Sequence, residues 1–315
     1  MKLPSAALFA RLCLLPVLVA SSACHSSGTK ANPLDPDREI EPIAALVEAT
    51  KKPESIGKLL ADLNSSIKAW NNLNLAAKTP KEQARARDIE LHIQTVAHQR
   101  RSEITSELES GPLNNRIVAA TALGFTRDPD AQGPLLAALD DTHEEVVNNA
   151  LIGLWLLGRT DTPIEKVCPL LSTAHSDDVR SNAALLIAML TREGAKSDCE
   201  LPAARMGLLD KSPTVRAHSA MILANRLDSE SMQALLDRID DDTVLVSAAA
   251  ARAIAFVGKS VPQSKGQAAR GLVKAWLGAA DDARKKLIFS SLVDLAQSNY
   301  GSDEKEWIKW ADRLP

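Results

Sequence analysis

The feature that most constrains this chain is a short motif that recurs from about residue 112 onward. Asn115-Arg116-Ile117-Val118-Ala119-Ala120 lines up with Val179-Arg180-Ser181-Asn182-Ala183-Ala184 and with Val215-Arg216-Ala217-His218-Ser219-Ala220. Weaker copies begin at Val146, Leu245 and Ala283, so successive copies are 31, 33, 36, 30 and 38 residues apart. A unit of that length holds two helices and a turn. One such hairpin cannot bury its own apolar face, so the units must stack.

Composition agrees with stacked helices. Only 3% of the 315 residues are aromatic while 48 are Ala, and Ala and Leu favour close-packed helices over sheets. In each unit the first helix has small residues at its centre, such as Ala183-Ala184 and Ala249-Ala250. The second carries a Leu-rich stripe: Leu135-Leu136-Leu139, Leu170-Leu171, Leu208-Leu209, Leu235-Leu236-Ile239 and Leu272-Val273-Leu277. Acidic or polar turns, Asp140-Asp141, Ser176-Asp177-Asp178, Lys211-Ser212-Pro213, Asp240-Asp241-Asp242 and Asp281-Asp282, precede the first helices and are expected to cap them. Arg116, Arg180, Arg216 and Arg284 recur at one repeat position. Such a ladder either bonds the neighbouring inter-repeat turns or faces an anionic partner.

The pattern resembles HEAT repeats, and its Val-Arg-x-x-Ala-Ala core is most similar to the phycobilisome-lyase-type HEAT-like repeat. The resemblance implies an all-α fold, a right-handed α-solenoid of about six helical hairpins, and no particular activity. It extends over residues 111–300. Residues 38–110 form a preceding helical module, with helices expected over 39–51, 54–78 and from Pro80 to Ser110, the last opened by Thr79-Pro80-Lys81-Glu82. Residues 301–315 form a final helix with Trp307 and Trp310 on one face. That face either caps the last repeat or docks a partner.

Residues 1–23 read as a targeting segment, because Lys2 precedes an apolar stretch too short to span a bilayer. Ser21-Ser22-Ala23-Cys24 resembles the end of a bacterial lipoprotein signal, although that family usually has Leu where Ser21 stands. The resemblance implies a lipidated Cys24, a membrane anchor and a flexible tether over 24–37. The residue after the cysteine is not Asp, which favours the outer membrane facing the periplasm. The same small residues also suit ordinary cleavage and a soluble periplasmic or secreted protein. Removing residues 1–23 takes away Lys2 and Arg11 and no acid, moving the net charge from −3 to −5. That balance excludes a basic nucleic-acid-binding face.

Cys168 and Cys199 then remain as the one cysteine pair of the folded part, close to one repeat period apart. They are either a disulfide of an oxidising compartment or two buried thiols. Searching for chemistry turns up no His-Glu-x-x-His, no Cys-x-x-Cys and no glycine-rich phosphate loop. An iron enzyme built on this repeat, deoxyhypusine hydroxylase, uses several His-Glu dipeptides; here His143-Glu144 stands alone. The expectation is a non-catalytic scaffold without catalytic residues, cofactor or metal. It would present its second helices as a concave face to a protein partner in the cell envelope. The alternative is an assembly factor that docks through its N-terminal helices or Trp-bearing tail.

Overall fold

The computed structural model describes residues 54–77, 79–173 and 176–315; the leader, Cys24, the tether, the helix expected over 39–51 and His175 lie outside the described residues. All regular structure among the described residues is helical, and the chain divides into two compact units, Met1–Arg159 and Thr160–Pro315.

The first unit contains α1 (Ile56–Ala76), α2 (Pro80–Gln99), α3 (Arg101–Ser110), α4 (Leu113–Phe125), α5 (Gln132–Ala137) and α6 (Glu144–Leu157). A reciprocal cap opens α2: the Glu82 amide donates to Thr79 Oγ1 at 3.2 Å, and the Thr79 amide donates to Glu82 Oε2 at 2.8 Å. The single helix expected from Pro80 to Ser110 is instead broken at Arg100, although neither Gly nor Pro marks the place. The Arg100 guanidinium grips Glu103 in the first turn of α3 and donates to the Glu54 carbonyl at 3.2 Å, which holds the corner against the start of α1. Leu60, Leu63, Ile93, Ile104 and Leu108 form the core beneath it. Helices α4 and α6 touch backbone to backbone. A Cβ on Gly124 would lie 2.4 Å from the Gly153 carbonyl, and one on Gly153 would lie 2.4 Å from the Ala120 carbonyl. Glycine is required at both places by proximity.

The second unit contains α7 (Cys168–Thr173), α8 (Asp177–Arg192), α9 (Glu200–Gly207), α10 (Pro213–Asn225), α11 (Met232–Asp237), α12 (Val244–Ser260), α13 (Lys265–Gly278), α14 (Asp282–Ala296) and α15 (Glu304–Asp312). The longer helices α8, α10, α12 and α14 pack in succession, and α9, α11 and α13 return between them. Their contact faces are alanine-rich: Ala183, Ala184, Ala220, Ala250 and Ala253 are almost wholly buried. This is the layered helix-on-helix arrangement of an α-solenoid, in which small side chains let neighbouring axes approach.

At the far end α15 packs against α13. Trp307 is 0% exposed, its indole N–H donates to the Gly301 carbonyl at 3.0 Å, and its ring meets Trp276, Phe289, Tyr300 and Trp310 with centroids 4.9 to 6.5 Å apart. In a chain with so few aromatic residues, this cluster covers the apolar face shared by α13 and α14.

Candidate functional site

The recurring arginines are clamps between repeats. Arg116 donates to the Asp141 carboxylate through Nε at 2.8 Å and Nη2 at 3.2 Å. Arg180 makes the same two-pronged contact with Asp210 at 2.7 and 2.9 Å, and Arg216 with Asp241 at 2.8 and 2.8 Å. In each case the arginine lies near the start of one long helix and the aspartate in the turn before the next. Planar guanidinium against planar carboxylate is the strongest common side-chain pairing and fixes orientation as well as distance.

The turn aspartates therefore do something other than the capping expected of them. Asp141 Oδ1 accepts the His143 amide at 2.9 Å, Asp210 Oδ1 the Ser212 amide at 2.7 Å and Asp241 Oδ1 the Thr243 amide at 3.0 Å. Each lies two residues before its helix's first boundary residue, so its carboxylate tightens the turn and cannot reach the first-turn amides. True caps come from Ser176, which accepts the Val179 amide, and from Asp281, which accepts the Arg284 amide. Burial tends to raise the pKa of Asp141 and Asp241. The guanidinium and backbone N–H bonds outweigh it and hold both carboxyls below the ordinary range. Hydrogen bonding to Asp241 raises Arg216 correspondingly.

Two repeats break the series: α6 has Val147 where the others have arginine, and α12 has Ser247, one residue past the Val246 that the sequence alignment put there. In α12 the ladder position is Ser247, a fully buried hydroxyl with no hydrogen-bond partner. Arg284 of the following repeat reaches back instead, donating to the Ile239 carbonyl at 3.3 Å and the Asp241 carbonyl at 2.8 Å. The Asp241 turn thus receives Arg216 on its carboxylate and Arg284 on its backbone.

Cys168 and Cys199 are joined by a disulfide with Cα atoms 6.1 Å apart, tying α7 to the start of α9. Next to it Glu200 is 0% exposed. Its carboxylate accepts the Ser197 amide at 3.0 Å and lies 2.8 Å from Arg226 Nε at the end of α10. His218 on α10 is also buried, its Nδ1–H facing the Ser181 carbonyl at 3.3 Å, and burial pushes its imidazole down to about 4. His143, the one His-Glu histidine, has Nδ1 3.2 Å from the Arg116 guanidinium and 3.0 Å from Thr142 Oγ1. A cation beside it makes a poor metal environment, and among the described residues no three His, Cys, Asp or Glu side chains converge as a metal site would require. No helix among them is long and apolar enough to cross a membrane.

The outward surfaces of the returning helices differ from one another. Leu208 is buried and Leu209, counted with it in the expected apolar stripe, is 70% exposed; Met206 is 66% exposed. Both leucines lie in the turn past the end of α9, where the helical stripe no longer sorts residues by face. Of the two tryptophans singled out for docking, Trp307 is sealed in the core and Trp310 is half-buried.

Residues 102–188 match the family model of HEAT repeats. Over those residues the chain is similar to HEAT repeats. The match begins on α3, inside the segment first set apart as an N-terminal module, and runs into α8. Among solved structures, one engineered protein is 20% identical over 62% of this chain and 96% of its own, with a TM-score of 0.47. A second engineered protein is 17% identical over 82% of this chain and 76% of its own, at 0.49. The complex of CpcE and CpcF of phycocyanin lyase from Nostoc sp. PCC7120 is 20% identical over 67% of this chain and 93% of that one, at 0.41. At this distance none of the three bears on what the chain does. No curated protein matches the chain.

Proposed function

We propose that the chain is a non-catalytic protein-binding scaffold of the bacterial cell envelope, held to a membrane through a lipidated Cys24. The observation that carries the binding role is the division of labour in the second unit. The long helices carry most of the packing between repeats together with the turn clamps, while the returning helices and the turn after α9 expose Met206, Leu209, Gln233, Gln267 and Lys274. A rigid framework that leaves one set of helices free suits an extended contact with another protein. Export is supported by the Ser21-Ser22-Ala23-Cys24 leader and by the Cys168–Cys199 bridge, because disulfides persist in oxidising compartments.

Two experiments test this reading. A photo-crosslinking residue placed in cells at Gln233 or Gln267 should give discrete protein adducts, and one at Lys286 or Ser290 on α14 should not. Adducts from Leu91 on α2 and none from the returning helices would favour docking through the N-terminal helices; adducts from none would contradict a scaffold. The intact mass of the mature chain should correspond to a start at Cys24 with added acyl mass. A chain retaining Met1 would defeat the export argument.

A further inference from the structure

Met206 and Leu209 are the two most exposed large apolar side chains among the described residues. The repeats themselves show that the fold does not require them. Asp210 and Asp241 play the same part, each accepting an amide two residues on and a guanidinium from the preceding repeat, and Asp141 is the third member. Counting back from these aspartates, Leu209 stands where the sister turns have Asp240 and Asp140, and Met206 where they have Asp237 and Ala137. One repeat has replaced an acid with an exposed leucine.

The clamps also define the surroundings. Lys211 and Arg180 join the turn after Leu209 to Asp177, at 3.1 and 2.9 Å. On the other side Arg216 bridges the Asp210 and Lys211 carbonyls to Asp241. The apolar step is therefore bracketed by two acidic turns, Asp177-Asp178 and Asp240-Asp241-Asp242, of which all but the clamped Asp241 are exposed. Among the described residues Asp178, Asp240 and Asp242 carry no ion pair, whereas the cations beside them, Arg180, Lys211 and Arg216, are already held by Asp177, Asp210 and Asp241.

We propose that this step is the anchor point for a basic amphipathic segment of a protein partner. Its apolar side chains would sit on Met206 and Leu209, and its Lys or Arg residues would face the acidic turns on either side. The inference rests on the reading of the returning helices as the docking face and adds the partner's chemistry. A thioether and a branched aliphatic side chain adapt to differently shaped apolar partners, while the acids select the sign of the flanking charge.

The test uses the mature chain and a fluorescent helix-forming peptide of about 15 residues with Leu along one face and Lys beside it. A second peptide carries Glu in place of Lys. The Lys peptide should bind with an affinity that weakens as salt rises, and Leu209→Asp should weaken it by about tenfold or more. The paired change Asp240→Asn with Asp242→Asn should flatten the salt dependence while leaving the melting temperature unchanged. Because Leu209 is exposed, unchanged helical circular dichroism is expected for its variant. Equal binding of the Glu peptide, or binding indifferent to Leu209, would overturn the proposal. So would concentration-dependent self-association that Leu209→Asp abolishes in a chain that ignores the Lys peptide. If adducts still form from Gln233 or Gln267 in those cases, this site falls and the docking-face reading stands; if no adducts form, both fall.

Discussion

The turn before α12 and the turn before α14 occupy the same place in successive repeats and are held in opposite ways. The first is gripped from behind by Arg216 on the Asp241 carboxylate. The second has no such grip, because the residue equivalent to Arg216 is Ser247, and Arg284 reaches backward to the Ile239 and Asp241 carbonyls. The hairpin scaffold is unchanged by the swap. Both bonds converge on the Asp241 turn, a charged side-chain pair from the repeat before it and guanidinium-to-carbonyl bonds from the repeat after it, so the start of α14 is tied back to a turn that Arg216 already holds.

The contrast can be broken by substitution. Arg216→Ala removes one partner of a pair whose side chains are 13% and 4% exposed, leaving a mostly buried carboxylate, and should cost about 3 kcal/mol in denaturant unfolding. Replacing both Cys168 and Cys199 by Ser should cost about 3 kcal/mol as well, through loop-closure entropy, and without touching either turn. Arg284→Ala gives up charged bonds to two carbonyls and an ion pair with the half-exposed Asp281 at 3.5 Å, and a loss of about 2 kcal/mol is expected. Ser247→Ala removes a buried hydroxyl that bonds nothing, so stability should stay level or rise by up to about 1 kcal/mol.

Acid should separate two parts of the clamped region. His218 has its pKa lowered to about 4 in the fold against the ordinary 6.5, so the unfolded chain takes up the proton first. Its effect is absent above pH 6.5, and stability falls between pH 6.5 and 4 by on the order of 3 kcal/mol. Asp141 and Asp241 have lowered values, so their stabilisation is present above the ordinary carboxylate pKa and lost only as pH falls below it through their folded values. Urea unfolding of His218→Gln should flatten the upper window and leave the lower one intact.

Much of this could be read from residues. The Val-Arg-x-x-Ala-Ala spacing located the long helices, and the Arg position was visible as a ladder. What the ladder holds was not visible, because an aspartate three residues before a helix looks like a cap until its distance to the preceding repeat is known. The break at Arg100 had no local marker, since it depends on Glu54 and Glu103 meeting one guanidinium across two helices. The exposure of Leu209 beside buried Leu208 was hidden for a related reason: α9 ends at Gly207, so both leucines fall in a turn where helical periodicity no longer separates faces.

The central claim is that a charged clamp across repeats stabilises the Asp241 turn, and a double-mutant cycle on Arg216 and Asp241 tests it most directly. The single variants Arg216→Ala and Asp241→Ala and their combination would be unfolded in urea under one set of conditions. A coupling of about 1.5 kcal/mol or more is predicted. Additive losses, with coupling below about 0.5 kcal/mol, would mean the contact orders nothing and that apolar stacking alone holds the repeats.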